Sequence, residues 1–308
     1  MTPDEHTNQE FFLDVGDGHQ LYVQDWGKKD AKTPIIFLHG GPGSGCNDRH
    51  KDLFDPASQR VIFHDQRGAG KSLPYGSIDH NTTQHLVDDI EKLADHLKLT
   101  QVIIVGGSWG SCLALVYAIK YQTRVKGMVL SGVVTNTKQE LAWFTKGAYQ
   151  TFFPDVWETY LKRTPKSHHT DPSAYHFKRI LGSDKQAMLE SARAFMDMDL
   201  AIMRLDDRYV PNTDKDFDGI NQKIEAHYFS NTCFLPDNYI HQHAPRLSMP
   251  IYLINGRYDM ICPPQNTYQL HQLLPNSNLI WTISGHRNEH EDWNVIRMTA
   301  QQLSQEKS

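Results

Sequence analysis

The sequence predicts an α/β fold: a mostly parallel, doubly wound sheet interrupted by an inserted, mainly helical segment. Three observations predict it. Short apolar runs with the character of buried strands alternate with amphipathic helical patterns, as a parallel sheet covered on both faces requires. Gly106-Gly107-Ser108-Trp109-Gly110 has the form G-x-S-x-G, between the apolar run Val102-Ile103-Ile104-Val105 and the helix-like run Cys112-Leu113-Ala114-Leu115-Val116-Tyr117-Ala118. The alternation then stops between about residues 133 and 244 and resumes afterwards.

Residues 11–25 read as two short strands around the turn Gly16-Asp17-Gly18. Pro34-Ile35-Ile36-Phe37-Leu38 is a continuous apolar run that ends in His39-Gly40-Gly41-Pro42-Gly43. A strand over residues 60–64 leads into Asp65-Gln66-Arg67-Gly68-Ala69-Gly70-Lys71-Ser72. Asn81 or Thr82 can cap the next helix, whose face is Leu86, Ile90, Leu93 and Leu97. After the Ser108 segment come a strand over 125–131, buried strands over 251–254 and 278–283 with a helix over 264–274 between them, and a last helix marked by Trp293, Ile296, Ala300 and Leu303. The expected division is a sheet domain of residues 1–132 and 245–308 and a helical cap of residues 133–244, lying over the strand C-termini where ligands sit in such sheets.

With 39% hydrophobic and 22% charged residues, the composition is that of a soluble globular protein. A net charge of -5 offers no electrostatic reason to bind nucleic acid or an anionic membrane. No apolar run approaches the roughly 20 residues of a membrane span. The start, Met1-Thr2-Pro3-Asp4-Glu5-His6, lacks the basic and apolar stretches of a signal peptide. Cys46, Cys112, Cys233 and Cys262 are far apart with no CxxC pair, so free thiols and a cytoplasmic location are expected. Oligomeric state is not legible.

The chemistry rests on three distant residues. A strand, sharp turn and helix would hold the Ser108 hydroxyl on an exposed corner, and the small residues two positions either side avoid a clash of backbones. A serine hydroxyl needs a base to take its proton and an acid to orient that base. Asp259 follows the strand over 251–254, and His286 follows the strand over 278–283, so both belong at the sheet edge that carries Ser108. Two backbone N–H groups must hold the oxyanion; Trp109 and, in the glycine-rich loop, Gly41 are the candidates. The 65–72 segment reads as a brace beside that loop. This chemistry needs no cofactor and no metal.

Two other patterns compete. His286-Arg287-Asn288-Glu289-His290 matches the zinc motif H-x-x-E-H, but Gly285 and the preceding strand argue against one helix carrying both histidines. Residues 214–225 match the calcium-loop pattern D-x-D-x-D-G-x5-E, yet Pro211 breaks the leading helix, and a solvated acidic loop is the expectation.

Taken together, the 39–43, 65–72 and 106–111 segments, Gly256-Arg257-Tyr258-Asp259 with Cys262-Pro263-Pro264, Gly285-His286, and the opening Leu13-Asp14-Val15-Gly16-Asp17-Gly18-His19 resemble the proline iminopeptidase family of α/β-hydrolase serine peptidases. The resemblance implies removal of an N-terminal proline from small peptides through an acyl-enzyme, with cap carboxylates holding the substrate's free amine. Ile224-Glu225-Ala226-His227-Tyr228-Phe229 resembles one such segment and implies that role for Glu225. Where the family has a tryptophan-rich stretch ending in Glu, this chain has Ala194-Phe195-Met196-Asp197-Met198-Asp199, which makes Asp199 the second candidate. The shorter acid and softer wall leave the preference for proline open, and with it a small-molecule esterase or amidase on the same scaffold. A non-catalytic receptor is the third alternative, opposed by the intact Ser108, Asp259 and His286 set.

Overall fold

A computed structural model describes residues 6–203, 205, 216–287 and 291–305. Eight strands form one sheet in the order β1-β2-β4-β3-β5-β6-β7-β8. The hairpin β1 (His6–Gly16) and β2 (His19–Lys28) is antiparallel and longer than the sequence suggested. Strand β2 pairs antiparallel with β4 (Arg60–His64), and from there the sheet is parallel through β3 (Ile35–Leu38), β5 (Val102–Gly107), β6 (Val125–Ser131), β7 (Ile251–Gly256) and β8 (Ser277–Thr282).

The all-apolar runs occupy the middle. Every residue of β3 and β7 is buried, as strands covered on both faces must be. Strand β8 departs from the expectation of a buried strand. It is the sheet edge and is mostly half-buried, and Ile283 just beyond it is 75% exposed. An edge strand lacks the neighbour that would cover it.

Helix α1 (Thr83–His96) is capped by Thr82, whose hydroxyl accepts the His85 N–H, and it buries Leu86, Ile90 and Leu93. Helix α2 (Trp109–Lys120) is buried from Trp109 to Ala118, which explains a sequence apolar all round. Between β6 and β7 the described residues form only helices and turns: α3 (Lys138–Ala142), α4 (Ala148–Phe152), α5 (Pro154–Lys162), α6 (Pro172–Ile180), α7 (Lys185–Leu200), α8 (Ile220–Ser230) and α9 (Tyr239–His243). Helices α10 (Pro264–Leu273) and α11 (Glu291–Gln305) complete the layers.

The inserted helices have a core of their own, including Tyr149, Trp157, Tyr160, Phe177, Phe195 and Met198. Ile261 and Cys262, from the loop after β7, join that cluster and seat it over the strand C-termini. Each fully buried large apolar side chain contributes about 1.5–3 kcal/mol, so this packing fixes the insertion against the loop that carries Asp259. Among the described residues no helix is long and apolar enough to cross a membrane.

Candidate active site

The site begins with a steric constraint. A Cβ on Gly106 would lie 2.5 Å from the Gly110 carbonyl oxygen, and one on Gly110 would lie 2.1 Å from that of Leu38. Only glycine permits strand β5, helix α2 and strand β3 to approach this closely. The turn between them holds Ser108 at φ 54°, ψ -126°, a costly conformation for a residue with a Cβ. Its N–H donates to the Ser131 carbonyl at 2.9 Å, which anchors the strained residue to β6.

The hydroxyl meets a histidine there. His286 Nε2 lies 3.2 Å from Ser108 Oγ, and His286 Nδ1 lies 2.8 Å from Asp259 Oδ2. With Nδ1–H donating to the carboxylate, Nε2 presents its lone pair to the serine hydroxyl. The other Asp259 oxygen accepts the N–H groups of Ile261 at 2.9 Å and Cys262 at 2.7 Å, so the carboxylate cannot turn away. Burial opposes charge on the His286 ring, but Asp259, Asp199 and Asp292 outweigh it and raise the imidazole above its ordinary value of 6.5.

Gly41, at φ 111°, and Trp109, the first residue of α2, flank Ser108. The first N–H groups of a helix have no partner within it, which suits Trp109 to receive an oxyanion. One side chain connects both flanks. The Gln66 N–H donates to His39 Nε2 and its side-chain amide to the His39 carbonyl, both at 3.0 Å, while Trp109 Nε1 donates to Gln66 Oε1 at 3.0 Å. Since His39 Nε2 accepts, its Nδ1–H donates to the Gly40 carbonyl at 2.9 Å. Asp65 holds the same corner, accepting the N–H groups of Cys46 at 2.6 Å and Lys71 at 2.8 Å. The 65–72 segment is thus the brace that its position suggested.

A cavity of about 380 Å³ lies over Ser108 and His286, and Gly41, Asp199 and Glu225 also line it. Asp199, at the end of α7, is 9% exposed, and its Oδ1 is buried without a hydrogen-bond partner. Burial pushes its carboxyl up to about 6, with His286 pulling the other way. Glu225, on α8, is pushed well up by burial and by Asp199. A smaller apolar recess beside Ser108 is walled by Val134, Leu141, Phe144, Phe229 and Ile261.

A family model described as the alpha/beta hydrolase fold matches residues 33–286. A proline iminopeptidase from Arabidopsis thaliana is 38% identical over 274 residues, covering 87% of this chain and 72% of its own. One from Xylella fastidiosa is 36% identical over 301 residues, covering 96% and 94%. The chain belongs to the proline iminopeptidase family of α/β hydrolases. A solved proline iminopeptidase from Mycobacterium smegmatis has the same fold, with a TM-score of 0.61 at 18% identity over 96% of this chain and 99% of its own.

For this iminopeptidase-family chain, all seven residues singled out in the sequence lie around one serine: Ser108, Asp259 and His286 in a hydrogen-bonded row, Gly41 and Trp109 beside it, Asp199 and Glu225 across the cavity. His286 follows β8 in a loop rather than on a helix, and both its ring nitrogens are engaged. Glu289 and His290 of the zinc pattern lie outside the described residues. In the calcium pattern Asp214 and Lys215 also lie outside them. Asp218 is engaged by the Ile220 N–H at 3.0 Å and the Tyr75 hydroxyl at 2.7 Å, and Glu225 lines the serine cavity.

Sequence reasoning missed two residues. Tyr149, on α4, is fully buried with an unpartnered hydroxyl within electrostatic range of Asp199 and Glu225. Nothing in its local sequence separates it from an ordinary core tyrosine. Gly132, directly after β6, packs against the His286 ring and has φ 52°. It stands alone after a strand, with no motif around it.

Proposed function

We propose that this protein is a serine exopeptidase that releases an N-terminal residue, above all proline, from small peptides through an acyl-enzyme. The observation that carries this reading is the pair of cavity carboxylates opposite Ser108, Asp199 with an unpartnered buried oxygen and Glu225 beside it. A buried anionic oxygen with no donor is costly. A substrate ammonium supplies the donor and the countercharge, and draws the pair back to its ionised form. The relatives named proline iminopeptidase support the same reading.

In the mechanism we propose, the amine pairs with Glu225 and Asp199, which brings only the first peptide bond to Ser108. The N-terminal side chain enters the apolar recess, whose aliphatic and aromatic walls suit a proline ring. Ser108 Oγ attacks the carbonyl carbon and its proton passes to His286 Nε2. The N–H groups of Gly41 and Trp109 hold the oxyanion. His286 gives its proton to the departing amine as the C–N bond breaks. Water, deprotonated by His286, then attacks the acyl carbon and frees Ser108. Asp259 keeps the imidazole in the required tautomer.

We further propose that residues 133–244 act as a cap domain on a core of residues 1–132 and 245–308, since they carry both amine ligands. The cytoplasm is the proposed setting, supported by four free thiols, three of them buried.

The test is a panel of aminoacyl-naphthylamides, free and N-acetylated, with proline included. Free Pro-naphthylamide should be cleaved fastest and its N-acetyl form hardly at all. Equal rates on free and blocked forms would favour an esterase or amidase. No reaction of Ser108 with a fluorophosphonate would point to a receptor.

A further inference from the structure

A second cluster of ligating side chains lies outside this cavity. Asp17, in the turn between β1 and β2, His80, in the loop before α1, and His85, in the first turn of α1, each offer one ligand atom, and these atoms lie within 4.8 Å of one another. None of the three lines the Ser108 cavity. We propose that Asp17, His80 and His85 form a binding site for a divalent transition-metal ion of the zinc, nickel or cobalt class.

The donor set selects that class. Two imidazoles and a carboxylate suit these ions, whereas magnesium and calcium prefer oxygen throughout. Three protein ligands leave the fourth position to water. A tetrahedral ion with bonds of about 2.0–2.1 Å holds its ligand atoms roughly 3.4 Å apart. The cluster therefore closes by about an ångström, which side-chain rotation can supply because Asp17 and His80 are exposed and His85 is half-buried.

Partners behind the ligands already orient them. Arg67 Nη1 donates to Asp17 Oδ2 at 3.1 Å and to the His80 backbone carbonyl at 2.7 Å, so one guanidinium holds the Asp17 carboxylate and the backbone that carries His80. That guanidinium is no net obstacle to a cation. Its Nε and Nη2 donate to Asp89 at 2.7 and 2.8 Å, which neutralises it and leaves the Asp17 charge over. His85 Nδ1 lies 2.8 Å from Thr82 Oγ1, a contact of the kind that aligns a metal-binding imidazole and leaves Nε2 to the ion. Asp17 and His80 both have positive φ, at 56° and 47°, a left-handed turn form that Asp and His adopt more readily than other residues with a Cβ. A bound ion would tie the β1–β2 hairpin to α1.

The test is the melting temperature of untagged protein with and without Ni²⁺. An ion that binds only the folded chain should raise it by about 5 °C at a hundredfold excess over Kd. The rise should vanish in His80→Ala and in Asp17→Asn, and persist in His168→Ala, an exposed histidine elsewhere. His85→Ala gives a further independent removal. No rise in the wild-type protein would overturn the proposal. So would a rise that survives His80→Ala, since it would place the ion elsewhere, as at the Asp259, Cys262 and His286 group whose ligand atoms also lie close together.

Discussion

Gly132 lies so close beneath the His286 ring that a Cβ on it would come within 3.1 Å of Cε1. The glycine therefore acts as a floor that sets the tilt of the imidazole between Ser108 and Asp259. Gly132→Ala makes the ring give by a few tenths of an ångström, a fraction of the one-ångström misplacement that costs about 10²-fold in rate. We expect kcat to fall by about 3- to 10-fold with KM little changed. The left-handed φ of 52° should add about 1 kcal/mol of destabilisation. Steady-state kinetics and a denaturant melt check both parts; an unchanged kcat would remove Gly132 from the account.

Gln66 connects the loop carrying Gly41 to the helix that starts at Trp109. Gln66→Leu keeps the volume but leaves Trp109 Nε1 and the His39 carbonyl without partners. Each such buried group costs about 1–3 kcal/mol. We also expect kcat to drop about 10- to 100-fold, because the two oxyanion donors lose their common support. Parallel measurement of kcat and melting temperature tests this. A loss of stability with full kcat would make Gln66 a structural residue only.

Much of this arrangement was legible because it depends on local chemistry. Glycines around Ser108 announce a turn in which no Cβ fits, and both Asp259 and His286 follow apolar strand runs, so each could be placed at a sheet edge. Asp199 and Glu225 are different: they come from separate helices of the insertion, and only the resemblance to a known family singled them out. The bounds of β1 and β2 and the exposure of β8 were missed because they depend on which strands become neighbours. Tyr149 and Gly132 act through tertiary approach alone, and no local pattern marks them.

Strain at Ser108 gives a prediction about stability. Its φ of 54° and ψ of -126° suit glycine better than any residue with a Cβ. Ser108→Gly should abolish turnover yet melt at a higher temperature, with a gain of up to about 1 kcal/mol after the entropy cost of glycine. A melting temperature below that of the wild-type enzyme would show that the hydroxyl contributes more than the strain costs.

The pH dependence follows from His286. Only the neutral imidazole can accept the Ser108 proton, and its pKa lies above 6.5, so kcat/KM should decline with falling pH from above that value. Asp199 is one of the charges that raise it. Removing that charge in Asp199→Asn disfavours the imidazolium and should move the acid limb to lower pH. An ester without an amine is the substrate to use, so that amine binding does not enter. An unmoved limb, or one displaced to higher pH, would contradict the electrostatic link between the amine site and the base.

The most direct measurement is kcat/KM of Glu225→Gln on Pro-naphthylamide and on p-nitrophenyl acetate. Glutamine keeps the shape and removes the charge. Hydrogen bonds to charged groups contribute about 1.5–3 kcal/mol, so cleavage of the free-amine substrate should fall by about 10- to 150-fold. Hydrolysis of the ester, which has no ammonium to anchor, should stay within about threefold. Equal losses on both substrates would contradict the account, because Glu225 would then support the serine centre in general and not the substrate's amine.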